Sequence, residues 1–254
     1  MEEALYTSGH YMEMNPGWHV EESPWKAQQI LRMLSRHRLS PRYIAEVGCG
    51  IGEVLRQLQQ AMDAECRFAG YDISPQAIEL AGSRANDRLH FYEVDLAREP
   101  LGDPPEQFDL LLFMDVVEHV EDYYSFLRAL RPRSRYAIFH LPLEVSVQTV
   151  LRSDGLLSTQ IAYGHLHYFT AEVALQALRN AGYTVRDRFY TARALEIPTN
   201  QLRRRLVNVP RRLLFTLNQP LAARTLGGFS LLVLTENAVE STEAGMSHQI
   251  SGAD

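Results

Sequence analysis

Tyr43-Ile44-Ala45-Glu46-Val47 is a short, largely apolar run, and Gly48, Gly50 and Gly52 follow it at alternate positions. A helical pattern then begins, with Val54, Leu55, Leu58, Ala61 and Met62 sharing one face. A buried strand, a glycine turn and a helix in that order confine the chain to α/β architectures with a covered parallel sheet. Such a turn leaves unpaired amides at a helix N-terminus, where a ligand can meet bare backbone. Glycine suits the position because it tolerates positive φ and has no Cβ to push a ligand away. The spacing is Gly-x-Gly-x-Gly, not the Gly-x-Gly-x-x-Gly of dinucleotide folds. No Gly-Lys-Ser/Thr follows, which excludes a phosphate-binding loop.

The alternation of strand and helix continues downstream. Strands are expected at 66–71, 89–94, 108–114, 135–141, 183–190 and 229–235, with helices between them. Phe108 to Met114 is almost wholly apolar, as a central strand covered on both faces should be. Ser23-Pro24, Ser74-Pro75, Asp122 and Thr170 are helix starts. Residues 1–40 read as an N-terminal arm and helix over a site, 41–235 as the main domain, and 236–254 as a disordered tail. Two stretches, 145–169 and 193–226, break the rhythm and read as inserts.

Three acids close three consecutive strands: Glu46, Asp72 and Asp95. An acid in a βα loop often serves only as a helix cap. Three together beside a glycine turn point instead to a ligand at the carboxyl ends of the strands. With these acids, the Glu46-x-Gly48-x-Gly50-x-Gly52 segment resembles the first motif of the class I S-adenosylmethionine (SAM) dependent methyltransferases. The resemblance covers roughly residues 40–235 and implies a Rossmann-like seven-stranded sheet of order 3-2-1-4-5-7-6 with strand 7 antiparallel. It implies SAM bound by Glu46, Gly48, Gly50, Gly52, Asp72, Ile73, Asp95, Leu96, Met114 and Asp115. Asp72 would hold the ribose hydroxyls and Asp95 the adenine amino group, with Ile73 and Leu96 sandwiching the ring. A nicotinamide enzyme with a Tyr-Lys pair is excluded, because Lys26 is the single lysine.

The fourth strand leads into Asp115-Val116-Val117-Glu118-His119. It lacks the Asn/Asp-Pro-Pro-Tyr/Phe of amino-directed DNA methyltransferases, so no DNA partner is expected. The cluster looks like that of ubiquinone-type O-methyltransferases, and also like that of enzymes methylating the 2′-hydroxyl of small-RNA ends. Those groups imply a divalent ion (Mg²⁺, Mn²⁺ or Zn²⁺) on Asp115, Glu118, His119 and His165, although the first acid is Glu in the family. Without a metal, His119 or His165 is the expected general base, with Glu118 beside it, since imidazole titrates near neutrality. Glu118 and His119 have a bland reading as well, as groups that orient the next helix. Acceptor contacts are expected from Tyr11, Trp18, His19, His140, Glu144 and His167.

A net charge of −6 argues against a chain built to coat nucleic acid. Yet residues 193–226 carry seven arginines against one acid, Glu196, with leucines interleaved. That insert reads as a lid or dimer helix, as a surface for anionic membrane, or as a grip on RNA phosphates. Two cysteines in no metal spacing, with neither signal peptide nor membrane-length apolar run, give a cytoplasmic expectation. The reading is methyl transfer from SAM to a small-molecule hydroxyl by a monomer or homodimer. RNA-end or nucleotide methylation and a non-catalytic SAM-binding regulator are the alternatives.

Overall fold

The computed structural model describes residues 6–9, 12, 15, 17–18, 20–100, 107–197 and 202–237, the side chains of 202–206 excepted. The expected tail lies, but for its first two residues, outside the described residues. Helix α1 (Ser23–His37) precedes strand β1 (Tyr43–Val47). The helix begins one residue earlier than its Ser-Pro signal implies. Glu22 stands at the cap without a side-chain bond and Ser23 is buried inside the first turn.

The core then runs β1, α2 (Glu53–Ala61), β2 (Arg67–Asp72), α3 (Pro75–Gly82), β3 (Leu89–Glu93) and β4 (Phe108–Met114). It continues with α4 (Tyr123–Leu130), β5 (Ser134–Leu143), α5 (Val147–Val150) and α6 (Gly155–Tyr163). It ends with α7 (Ala171–Asn180), β6 (Thr184–Thr191), α8 (Arg193–Glu196), α9 (Leu202–Leu217), α10 (Gln219–Leu226) and β7 (Phe229–Glu236). Ser74, Asp122 and Thr170 each accept a backbone amide as N-caps, as their residue types predict. The two inserts are helical: α5 and α6 fill the first, α8 to α10 the second.

The seven strands form one sheet of order β3-β2-β1-β4-β5-β7-β6, in which β7 runs antiparallel to both neighbours. Alternate residues of β4 serve opposite layers. Leu110, Leu112 and Met114 join α1 and α2 in one core, whereas Leu111 and Phe113 join α4 and α7 in the other. This two-sided burial is why β4 reads as continuous apolar sequence. β1 pairs with both β2 and β4, so the chain reverses its direction of winding there and leaves a crevice beyond the strand ends.

Candidate active site

The crevice is a cavity of about 1320 Å³, lined by the glycine turn, the ends of β1, β2 and β4, the start of α1 and both inserts. At its floor the glycine turn is held by β2. The amides of Gly48 and Cys49 both donate to the Tyr71 carbonyl, at 2.8 and 3.1 Å. Gly48 and Gly50 have φ of 69° and 52°, the left-handed region that disfavours a Cβ. A Cβ on Gly48 would press into Val116 at 2.7 Å. Gly52 differs. It starts α2, packs against the Phe91 ring and does not line the cavity, so its role is close packing of helix on sheet.

Asp72 ties the turn to the next loop. One carboxylate oxygen accepts from the Gly50 amide at 2.7 Å and the other from the Ser74 amide at 2.9 Å. Burial raises its pKa, opposed by those amides. Glu46 is 2% exposed and its Oε2 has no hydrogen-bond partner among the described residues. Burial pushes its pKa up to about 8, against the pull of Lys26. Ile73, Asp95, Leu96, Met114 and Asp115 also line the cavity.

Lys26 is the residue that sequence reasoning undervalued. Its Nζ lies 2.7 Å from Asp115 Oδ2. Burial alone would lower its pKa, but Asp115, Glu22 and Glu46 together raise it. The other Asp115 oxygen is 2.5 Å from His140 Nδ1, and His140 Nε2 is 3.0 Å from the Thr191 hydroxyl. Burial would raise the Asp115 pKa, yet His140 and Lys26 outweigh it and hold it below the carboxylate range. Asp115 takes φ +59°, strained for a non-glycine and maintained by these partners. The one signal in the sequence was that the only lysine stands at a helix start.

The second cluster sits on the turn Val117–His119. The amides of Leu166 and His167 both donate to the Glu118 carbonyl, at 2.8 and 3.1 Å. That clamp brings His165 against His119, with ring centroids 4.7 Å apart. Ligating atoms of Glu118, His119 and His165 lie within 4.8 Å of one another. Glu118 is fully buried and, among the described residues, neither carboxylate oxygen has a hydrogen-bond partner. Burial, then the nearby Asp115 charge, lifts its pKa well above the usual range. His119 Nδ1 is 2.8 Å from the Tyr6 hydroxyl and 3.3 Å from the Gly164 carbonyl. Burial, then His165, brings the His119 pKa down to about 4. His165 Nδ1 is 2.8 Å from Glu144.

Two further expectations need correction besides Gly52. Asp115 does not join the ligating cluster, because Lys26 and His140 engage both of its oxygens. His167 turns to the Val120 and Glu121 carbonyls and does not line the cavity. Trp18, His140 and Glu144 do line it, whereas Tyr11 and His19 lie outside the described residues. The arginine-rich insert closes one wall. Arg193 pairs with Glu22 at 2.5 Å, and Glu196 accepts from Trp25 at 2.7 Å and Gln29 at 3.0 Å.

Residues 20–187 match the family described as "Methyltransferase domain". The chain is 31% identical over 93 residues to ajmaline N-methyltransferase of Rauvolfia serpentina, covering 35% of this chain and 31% of that one. It is 32% identical over 128 residues to a probable chloroplastic tocopherol O-methyltransferase of Oryza sativa subsp. japonica, covering 46% and 34%. The matched region thus spans about a third of the length of these relatives. The N-methyltransferase NodS of Bradyrhizobium japonicum WM9, solved with S-adenosyl-L-homocysteine, shares the fold at TM-score 0.53 and 17% identity, over 84% of this chain and 86% of NodS.

Proposed function

Because this chain belongs to the methyltransferase domain family, we propose that it transfers a methyl group from SAM to a hydroxyl oxygen of a small molecule. The residues present suit that donor. Gly48 and Gly50 offer backbone without a Cβ of their own, and Asp72 offers a carboxylate already fixed by two amides to receive a ribose diol. Ile73, Asp95 and Leu96 line the same cavity as Asp72 and suit an adenine ring held between the two aliphatic side chains with its amino group towards Asp95. The partnerless Glu46 oxygen suits the cationic amino-acid end. When bound, SAM supplies an electrophilic methyl on a sulfonium, open to in-line displacement.

The chain's own part is alignment, exclusion of water and removal of one proton. The Glu22–Arg193 pair and the bonds from Trp25 and Gln29 to Glu196 hold α1 against α8 beside the cavity, a contact suited to excluding water. His119, neutral at physiological pH because burial depresses its pKa, takes the acceptor's hydroxyl proton. In the tautomer protonated at Nδ1, that N–H donates to the Tyr6 hydroxyl or the Gly164 carbonyl and the Nε2 lone pair is the base.

The observation that carries this reading is the Asp72 carboxylate bridging two loop amides on the cavity that also holds His119 and His165. The test is calorimetric SAM binding with release of S-adenosylhomocysteine on a panel of phenolic, sugar and RNA-end acceptors. Binding with no turnover on any acceptor favours a regulator, and turnover confined to RNA ends favours nucleotide methylation.

A divalent cation on Glu118, His119 and His165 is a second reading, favoured by the two partnerless Glu118 oxygens. Such an ion would ionise Glu118 and lower the pKa of a hydroxyl bound to it. Full activity after exhaustive chelation removes this version and leaves the imidazole base.

A further inference from the structure

Helices α5, α6 and α9 each leave an apolar row uncovered. On α5 these are Val147, Val150 and the adjoining Leu151, the last 81% exposed. On α6 they are Leu157 and Ile161, four residues apart. On α9, Val209, Leu213 and Leu217 repeat at the same spacing, 65%, 63% and 75% exposed. Rows at that period share one helix face. The helices form one region: Arg211 on α9 bonds Gln148 on α5 at 2.8 Å, and α10 packs on both α5 and α9. Soluble monomers rarely leave several adjoining rows of large aliphatics in water.

The charge of this region is equally specific. Residues 202–226 contain six arginines and no acidic residue in a chain whose net charge is −6. Arg152, Arg211 and Arg212 form no salt bridge among the described residues. The same helices adjoin the site, since Thr149, Arg152, Gly155 and Thr159 line the cavity.

We propose that the α5–α6–α9 face docks on an anionic lipid bilayer, beside the cavity through which an amphiphilic acceptor enters. Leucines and isoleucine enter the boundary between headgroups and acyl chains, while arginines reach lipid phosphates. No helix among the described residues is long and apolar enough to cross a membrane, so the contact is interfacial. A second copy of the chain is disfavoured, because a self-complementary contact would set arginines against arginines. RNA would engage the arginines but leave the aliphatic rows in water. The docking itself rests on this surface and not on methyl transfer; only the acceptor's class depends on the proposed activity.

The test is sedimentation of the full chain with vesicles of phosphatidylcholine alone, or of phosphatidylcholine with phosphatidylglycerol, at two salt concentrations. The anionic vesicles should bind at least about tenfold more tightly, and added salt should weaken them. The double variants Leu213→Ser/Leu217→Ser and Leu157→Ser/Ile161→Ser should each lose at least about tenfold. All four side chains are exposed, so folding is undisturbed, and the α9 pair should keep wild-type SAM affinity. Equal binding to both vesicle types, or full binding by both double variants, overturns the proposal. So does a dimer in solution that the leucine variants dissociate, or a 20-nucleotide RNA bound more tightly than the vesicles and insensitive to those variants. Vesicle binding without methyl transfer would leave this inference standing while the proposed function fell.

Discussion

Glu46→Gln tests the electrostatics of the donor site in the free protein. Glu46 is 2% exposed, and burial raises its pKa from 4.5 to about 8. A tenfold change in an ionisation constant is worth about 1.4 kcal/mol, so ionising this buried carboxyl costs ~5 kcal/mol in the folded chain. The sign follows from linkage. Below the unfolded pKa the group is protonated in both states and costs nothing. As pH rises from 4.5 towards 8, the unfolded chain ionises while the folded chain does not, and stability is lost across that window. Glutamine cannot ionise, so the variant escapes the loss.

Between pH 5.5 and 8.0 the variant should therefore gain ~3 kcal/mol on the wild type. For a chain of this size that is a relative rise in Tm of roughly 6–12 °C. The assay is thermal and urea unfolding of both proteins at several pH values, read as their difference so that other titrating groups cancel. SAM affinity should fall in the same variant, since its cationic end loses the carboxylate. A Tm difference that stays constant across this pH range would refute the reasoning, whatever the variant does to activity.

Asp72→Ala removes the acceptor shared by the Gly50 and Ser74 amides, and should weaken SAM binding at least about tenfold by calorimetry while the protein stays folded. Gly50→Val should do the same, because position 50 has φ +52° and faces the Trp18 ring. His119→Ala should lower kcat about 10²–10⁴-fold with SAM affinity retained. In the wild type with SAM saturating, so that Glu46 is already engaged, kcat/KM for the acceptor should stay level through neutral pH and fall only as pH drops towards 4, where His119 gains its proton; a midpoint near 6.5 would contradict the burial of that ring. Glu196→Ala strands the Trp25 and Gln29 donors and should cost about 1–3 kcal/mol in urea unfolding, with KM raised.

The sheet was legible in the sequence because its signals are local. Strand period, the glycines after β1, and Ser74, Asp122 and Thr170 as caps are each set by a few neighbouring residues. The acids at strand ends were legible for the same reason, since any parallel α/β sheet delivers those positions to one edge. Gly52 was harder, because a glycine facing a ligand and a glycine facing Phe91 look alike in one dimension.

By itself, then, the sequence determined the α/β layering, the strands, the acids ringing the crevice and the pairing of Glu118 with His119. Tertiary structure alone decided which distant groups meet. Only the meeting of His165 with His119 was already implied by the family resemblance; the structure adds that the Glu118 carbonyl takes the amides of residues 166 and 167 and that His167 turns away. Asp115 is claimed by Lys26, 89 positions earlier, and by His140, while Tyr6 reaches His119 from 113 positions away. The physical reason is that period and caps are governed by backbone geometry within a few residues. Partner choice among buried charges depends on which side chains the packed sheet shuts away from water together.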